Sequence, residues 1–332
     1  MVLHICNTQF EWELTHTADL KLSFEVHPIH IQLQFLPHLY APNDPFLITH
    51  ESDILPEQAL LLGASDLKSF DRIESWGPSQ NLSAFAKEHQ LAYDIPPLDC
   101  VKTIASKTFP FEQGIALDGA MLLKNKDDLD LWLKDMEAPF VLKAPFSTAG
   151  RDRKICKCKT ALHYYEILAF CEQNWAKGLS ILAEPWKERN GDYSTQWRVE
   201  KDGQIELLGW VHMECSIRGI YRKSIVNDVK PRFFDEHVRV AKPLLEKMQK
   251  LGFFGHVGLD AFVYQDRLHP VCEVNPRKTM GWLALELSKG KPLILEYHRG
   301  DEGLLPKQVK GKKPFHSQLI LHKYPNSSAG CN

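Results

Sequence analysis

GHVGLDAFVYQDRLHPVCEVNPRKTMG, residues Gly255 to Gly281, is the stretch on which the reading of this chain turns. Val257 to Tyr264 and His269 to Val274 are two apolar and aromatic runs. The short polar segment Gln265-Asp266-Arg267 between them predicts a β-hairpin. Asp260 falls in the first predicted strand, Glu273 and Asn275 in the second. Positions 273 and 275 are two apart, so they share one sheet face. Antiparallel pairing across the turn brings Asp260 within reach of them. Two carboxylates and an amide oxygen on one face form a hard, all-oxygen site of the kind magnesium takes. The flanking residues Leu259, Ala261, Cys272 and Val274 place the acids opposite a buried face or inside a lined cleft. The competing reading is an exposed strand end closed by an Asn-Pro turn.

Moving outward, Phe140-Val141-Leu142 predicts a strand that delivers Lys143 and then the small-residue stretch Ala-Pro-Phe-Ser-Thr-Ala-Gly-Arg-Asp. A lysine leaving a rigid strand can set a point charge on a phosphate oxygen. A loop of small residues can lay backbone N–H groups over further oxygens. The stretch is not a Walker sequence, since GxxxxGK[ST] is absent, and a surface turn with a solvated lysine reads the same residues. Between these two pieces lies ILAEPWKERNGDYSTQW, where a predicted strand, Ile181 to Ala183, runs into Glu184-Pro185-Trp186. Backbone groups at such an exit can meet a nucleobase edge between apolar walls, with Asp192 left for ribose hydroxyls. A plain proline turn is the alternative.

The order of these pieces resembles the ATP-grasp superfamily. The resemblance spans about residues 100 to 290 and is strongest in GLDAF…CEVNPRKTMG, then in VLKAPFSTAGRD. It implies an α/β (α+β) chain in three parts: an N-terminal α/β domain over 1–104, a central lid over 105–180 and a C-terminal subdomain over 181–325. The lid and the C-terminal part would grip ATP between two antiparallel sheets. By position in the motifs, Lys143 and Lys107 would contact phosphates. Ser147, Thr148, Gly150 and Arg151 would close over the triphosphate. Glu184, Pro185 and Trp186 would border adenine, and Asp192 the ribose. Asp260, Glu273 and Asn275 would hold Mg2+, or Mn2+ in its place. Arg277 would face the acyl phosphate or the acceptor. Gly258 stands where some peptide-forming members carry an arginine, which leaves Arg218 and Arg222 as candidates for an oxyanion-stabilising charge.

The implied activity is that of a ligase: a carboxylate attacks ATP, and the acyl phosphate is then taken by an amine or a similar nucleophile. An ATP-grasp kinase and a non-catalytic nucleotide-binding protein are the alternatives. The substrates would be small-molecule or peptide carboxylates and amines. No GxSxG or Cys-His signature asks for a protein nucleophile.

Bulk properties agree with that class. The chain has 332 residues, enough for two or three packed units, with 44% hydrophobic and 25% charged residues. A formal net charge of −2 gives no field that would gather a polyanion, which speaks against a dedicated nucleic-acid binder. Eight cysteines occur without a CxxC pair, which suits reduced thiols better than structural zinc. Neither a secretory signal nor an apolar run long enough for a membrane span is visible, so a cytoplasmic protein is expected. Nothing in the sequence sets the oligomeric state.

In the N-terminal hundred residues, Val2 to Cys6 and Ala59 to Leu62 predict strands and Leu82 to His89 a helix. Further helices are predicted over Lys126 to Met136, Leu162 to Asn174, Pro231 to Leu251 and from Trp282. Ile205 to Met213 predicts a long strand. The Trp76-Gly77-Pro78-Ser79 segment reads as a turn or a substrate loop.

Overall fold

A computed structural model describes residues 1–146, 153–158, 160–216 and 221–324. The first unit is a parallel sheet of β1 (Val2–Ile5), β2 (Phe46–Ile48), β3 (Ala59–Leu61) and β4 (Arg72–Ser75), in the order β3-β2-β1-β4. Strands β2 (FLI) and β3 (ALL) read as short unbroken apolar runs, as expected where both faces are covered, while β1 carries His4 and β4 reads Arg-Ile-Glu-Ser. Four short helices fill the long β1–β2 connection: α1 (Phe10–Glu13), α2 (Leu20–Glu25), α3 (Pro28–Leu33) and α4 (Pro37–Tyr40). None was visible as a helical period. After β4, α5 (Gln80–Glu88) starts where Ser79 accepts a hydrogen bond from the Leu82 N–H.

Two more helices, α6 (Leu98–Ala105) and α7 (Phe109–Glu112), lead into the lid. The lid is an antiparallel sheet of β5 (Met121–Leu123), β6 (Phe140–Lys143), β7 (Arg153–Cys156) and β8 (Ile181–Pro185), ordered β5-β8-β6-β7. It therefore takes in β8, which sequence reading had set at the start of the C-terminal part. Helices α8 (Lys126–Asp135) and α9 (Ala161–Trp175) form the other layer. Leu129 and Trp132 of α8 and Ile167 of α9 bury Phe140, Leu142 and Ala183 on one sheet face. Alternation then turns Val141, Lys143 and Glu184 to the opposite face.

The third unit is a seven-stranded antiparallel sheet in the order β13-β12-β9-β10-β11-β14-β15. Its strands are β9 (Gly191–Val199), β10 (Ile205–Cys215), β11 (Tyr221–Val226), β12 (Gly255–Tyr264), β13 (Arg267–Asn275), β14 (Leu293–Arg299) and β15 (Ser317–Lys323). Helices α10 (Phe234–Lys250) and α11 (Met280–Ser288) complete it. Val257 and Leu259 of β12 and Val271 and Val274 of β13 pack with Ala241, Leu244 and Met248 of α10. Cys100, Val101 and Ile104 of α6 join that same core. Trp282 and Leu283 of α11, with Leu295 and Leu319 of β14 and β15, instead share a core with the N-terminal sheet. The ends of the chain are thus fused through one apolar layer. No helix among the described residues is long and apolar enough to cross a membrane.

The β12–β13 hairpin closes with Tyr264 opposite Arg267, so its turn is two residues, Gln265 and Asp266. Both have positive φ, 43° and 59°, as a type I′ turn requires, and neither is glycine.

Three histidines are held neutral inside this frame. His237 is fully buried in α10, with Nε2 2.7 Å from Thr195 Oγ1 and Nδ1 2.6 Å from the Pro270 carbonyl. Thr195 Oγ1 also accepts from the Trp197 indole, so its hydroxyl proton points to Nε2 and Nδ1 carries the ring proton. Burial pushes His237 down to about 4. Burial, with the charges of Lys278 and Arg198, pushes His256 down to about 3. Burial, opposed by Glu184 and aided by Lys143 and Arg189, pushes His269 down to about 4. Below the ordinary histidine pKa of about 6.5 the unfolded chain binds protons that these three refuse, so stability falls with pH from there towards 4. Each histidine contributes up to about 1.4 kcal/mol per pH unit. The urea midpoint is expected to drop steadily between pH 6.5 and 4.5 and to be flat from 6.5 to 7.5. A midpoint insensitive to pH across the lower range would contradict this account.

Candidate active site

The lid face bearing Lys143 and the C-terminal sheet face bearing Asp260 enclose the site. Asp260 of β12 and Glu273 of β13 are direct register partners. Cβ atoms of such a pair lie about 5 Å apart, so both carboxylates leave the same face, opposite the Leu259 layer. Burial and the Glu273 charge push Asp260 up to about 6, against hydrogen bonds from Ser194 and Asn275 and the charge of Arg277. Burial works on Glu273 in the same sense, but Lys107, Arg277 and Lys143 together hold it below the usual carboxylate range. Two carboxylates forced together away from water hold a proton too readily. A divalent cation between them removes that conflict, so the donor set fits magnesium. Among the described residues no group of three His, Cys, Asp or Glu gathers as a metal site, here or elsewhere, so the donors here are two carboxylates and an amide.

Asn275 faces this pair differently from expectation. Its amide nitrogen donates to Asp260 Oδ2 at 3.2 Å, and its oxygen accepts from Arg277 Nη2 at 3.1 Å. An oxygen ligand at this position needs the amide turned over, an orientation that follows the hydrogen-bond partners present. A relay supports Asp260 from behind: Thr279 Oγ1 donates to Gln196 Oε1 at 2.7 Å, and Gln196 Nε2 donates to Ser194 Oγ at 2.8 Å. Thr279 also caps α11, accepting from the Trp282 N–H at 3.1 Å. Gly258 leaves no room for a side chain, since a Cβ there would stand 2.8 Å from Thr279 Cγ2 and 3.2 Å from Gln196 Oε1. An arginine at 258 would break the relay. Of its suggested replacements, Arg222 is exposed on β11, and Arg218 lies outside the described residues.

Both expected lysines are present, each on a carboxylate. Lys107 Nζ lies 2.6 Å from Glu273 Oε1. Burial opposes its charge, but Glu273 and then Glu11 raise it above the ordinary lysine value. Lys143 Nζ lies 2.5 Å from Glu184 Oε2, both nearly buried at 15% and 6% side-chain exposure. Burial would raise Glu184, yet Lys143, His269 and Arg189 hold it below the usual range. Glu184 is thus first an anchor for Lys143. Glu184, Pro185 and Trp186 do border a small cleft, walled by Leu117, Val141 and Phe262. The N–H of Trp186 is not free for a base edge, because it donates to the Pro139 carbonyl at 2.9 Å. Asp192 stands on β9, 2.6 Å from Arg189 Nη1, and Arg189 stacks 4.2 Å over the Phe262 ring. The expected phosphate-loop residues Ser147, Thr148, Gly150 and Arg151 lie outside the described residues.

By sequence, no protein-family model matches the chain and no curated protein matches it. By structure it resembles N5-carboxyaminoimidazole synthetase from Staphylococcus aureus complexed with ADP, at TM-score 0.55 and 13% identity over 90% of this chain and 83% of that one. It resembles biotin carboxylase from Campylobacter jejuni, in a β,γ-ATP complex, at TM-score 0.61 and 11% identity over 91% and 76%. It also resembles the biotin carboxylase domain of the Hydrogenobacter thermophilus 2-oxoglutarate carboxylase in complex with MgADP, ADP and bicarbonate, at 0.57 and 12% over 90% and 75%. The chain has the ATP-grasp fold.

Within that ATP-grasp frame several site residues escaped sequence reading. Arg189 precedes Asp192 by three residues in a stretch read for Glu184, Pro185, Trp186 and Asp192. Arg153 did not escape it: with Arg151 it is a candidate charge after the small-residue stretch, and it opens β7 and lines the cleft, with burial and the nearby Arg189 charge lowering its pKa. Glu11 comes from the N-terminal unit, where its only signal was a position just past the first predicted strand. Cys215 and Cys272 adjoin the acids, but burial pushes the first up to about 12 and raises the second as well. Both are neutral lining, not nucleophiles.

Proposed function

We propose that this chain is an ATP-dependent ligase that activates a carboxylate as an acyl phosphate for attack by an amine, releasing ADP and phosphate. The observation that supports it most is the Asp260–Glu273 pair, set opposite each other with Lys107 and the field of Lys143 upon it. Asp260 and Glu273 would hold magnesium, joined by the Asn275 oxygen once that amide turns over, and the ion would supply charge neutralisation to the triphosphate; manganese suits the same oxygens. Phosphoryl transfer asks mainly for positioning and electrostatics. Lys107 and Lys143 can exchange their carboxylate partners for phosphate oxygens as the lid settles on the nucleotide. Pro185, Trp186 and Phe262 give an apolar seat that excludes water from a hydrolysable acyl phosphate. Arg277 stands beside Asn275, placed to meet the carboxyl group being activated.

The biotin carboxylase domain named with MgADP and bicarbonate makes bicarbonate an obvious first carboxylate to try. The test is ADP release from MgATP with a panel of carboxylates, bicarbonate included, and hydroxylamine as trap. ADP appearing together with a hydroxamate supports the reading. ADP with a stable phosphorylated alcohol would replace it with a kinase, and nucleotide binding without ADP would leave a non-catalytic binder.

A further inference from the structure

The N-terminal sheet changes direction at β1. Strands β2 and β3 lie on one side of it and β4 on the other. In open parallel sheets the crevice at the carboxyl ends of the two strands flanking such a switch is where ligands sit. Here the segments leaving that edge are Asn7 to Gln9 after β1 and Trp76 to Ser79 after β4.

Asn7 ties the two together. It accepts from the Gly77 N–H at 3.0 Å, donates to the Gly77 carbonyl at 2.8 Å and donates to Glu13 at 2.9 Å. Gly77 in turn lies against the C-terminal unit: a Cβ there would meet the Phe10 ring at 2.5 Å and Arg277 Cβ at 3.1 Å. Lys278 closes the contact by donating its N–H to the Trp76 carbonyl at 2.9 Å. On this fixed edge α1 presents Glu11 to Arg277. Glu11 Oε1 accepts from Arg277 Nε at 2.8 Å and also from Nη2. Arg277 then bonds Asn275 Oδ1. One side chain therefore separates Glu11 from the proposed metal and phosphate centre.

Both arginine contacts fall on Oε1. Glu11 Oε2 is buried and has no hydrogen-bond partner among the described residues. A buried carboxylate oxygen without a donor is disfavoured, and such atoms call for an N–H or O–H from elsewhere. The unmet need is for a donor, which excludes an anion at this oxygen and suits a cation bearing N–H groups.

We infer that Glu11 Oε2 receives the attacking group of the acceptor, and that this acceptor is a primary amine arriving as its ammonium ion at the β1–β4 edge. The inference rests on the ligase reading above. The ammonium donates to Oε2 and passes one proton to it. The freed nitrogen lone pair attacks the acyl carbon, the bond from that carbon to the phosphate oxygen breaks, and phosphate leaves with the second proton lost by nitrogen. The proton on Glu11 returns to solvent. Arg277, held by Oε1, keeps the acyl group and the amine on one line.

The experiment compares two nucleophiles with the same carboxylate and MgATP. Hydroxylamine is already uncharged at neutral pH and needs no base to unload it. Methylamine, with a panel of amino acids, arrives protonated. In Glu11→Gln the ratio of amide to hydroxamate is expected to fall about a hundredfold, the usual size of a positioned general base. Its amide rate is expected to rise about tenfold per pH unit as free amine accumulates, where the native enzyme is flatter. Glu11→Asp should recover part of the ratio. An unchanged ratio, or both products falling together, would overturn the inference and leave Glu11 as a prop for Arg277. Hydroxamate from the native enzyme with no amide from any primary amine would overturn it alone. No hydroxamate with any carboxylate would overturn the ligase reading and this inference with it.

Discussion

Replacing Glu273 with alanine is expected to lower magnesium-dependent ATP turnover by about three orders of magnitude, the upper range for loss of one preorganised charge at a phosphoryl-transfer site. Three consequences of one residue add up to this size. Asp260 loses the carboxylate opposite it, so the paired metal donor set becomes a single acid. Lys107 loses the oxygen 2.6 Å away that fixes its ammonium group. The Asp260 carboxyl, raised by burial and by the Glu273 charge, is relieved of the second of these causes, but the cation then meets one negative charge where two had stood. The fold has less to lose. Glu273 is 37% exposed, and the apolar layer beneath it belongs to Val271 and Val274. Far-UV circular dichroism of Glu273→Ala should stay near native, with some loss of melting temperature from the Lys107 charge left without its partner, while ADP release collapses and its magnesium dependence weakens. Turnover within tenfold of native would remove Glu273, and the metal assignment with it, from the reaction.

The part of this site legible in the sequence was the part written locally. A two-residue turn sets the β12–β13 register as far as Phe262 opposite His269, and a shift of two residues between Phe262 and Asp260 then brings Asp260 opposite Glu273, on the face that the alternation of Leu259, Ala261, Cys272 and Val274 implied. The turn itself carried no glycine, yet the flanking apolar runs sufficed. What stayed hidden depends on partners far along the chain. Lys143 and Glu184 meet because β6 and β8 are neighbours in the lid sheet, which no spacing announces. Glu11 and Arg277 are 266 positions apart. Helices α2 to α4 are too short to show a period, and β14 and β15 belong to a sheet whose other strands precede them by many residues. The hinge was read for a nucleobase because Glu-Pro-Trp ends a strand, while the buried lysine opposite claims the glutamate first. Gly258 was read as a missing arginine. Three dimensions show a packed position whose emptiness lets Gln196 reach Ser194 and so steady Asp260.

Lys143→Ala is expected to fail twice, once in turnover and once in the lid. From sequence, Lys143→Ala is expected to abolish ATP turnover and leave the fold intact. The structure corrects that expectation. Glu184, at 4% exposure, would be left as an unpaired carboxylate beneath the cleft. Removing one partner of a buried pair costs about 3–5 kcal/mol, because the remaining charge keeps its desolvation penalty and loses its compensation. The loss should be local to β6 and β8, the two strands that carry the pair, and should show as early lid melting or as protease sensitivity within residues 121–185. The two failures can be separated. Lys143→Met combined with Glu184→Leu removes both charges and fills their space with apolar groups, a change that is often close to neutral for stability. The double variant should recover most of the melting temperature lost by Lys143→Ala and none of the ATP turnover, because the charge proposed to meet the phosphates is gone in both. Recovery of turnover by the double variant would show that Lys143 serves only the lid. A single variant as stable as the native chain would show that Glu184 finds another partner, and His269, whose pKa is held down partly by Lys143, is the group best placed to supply it by taking up a proton.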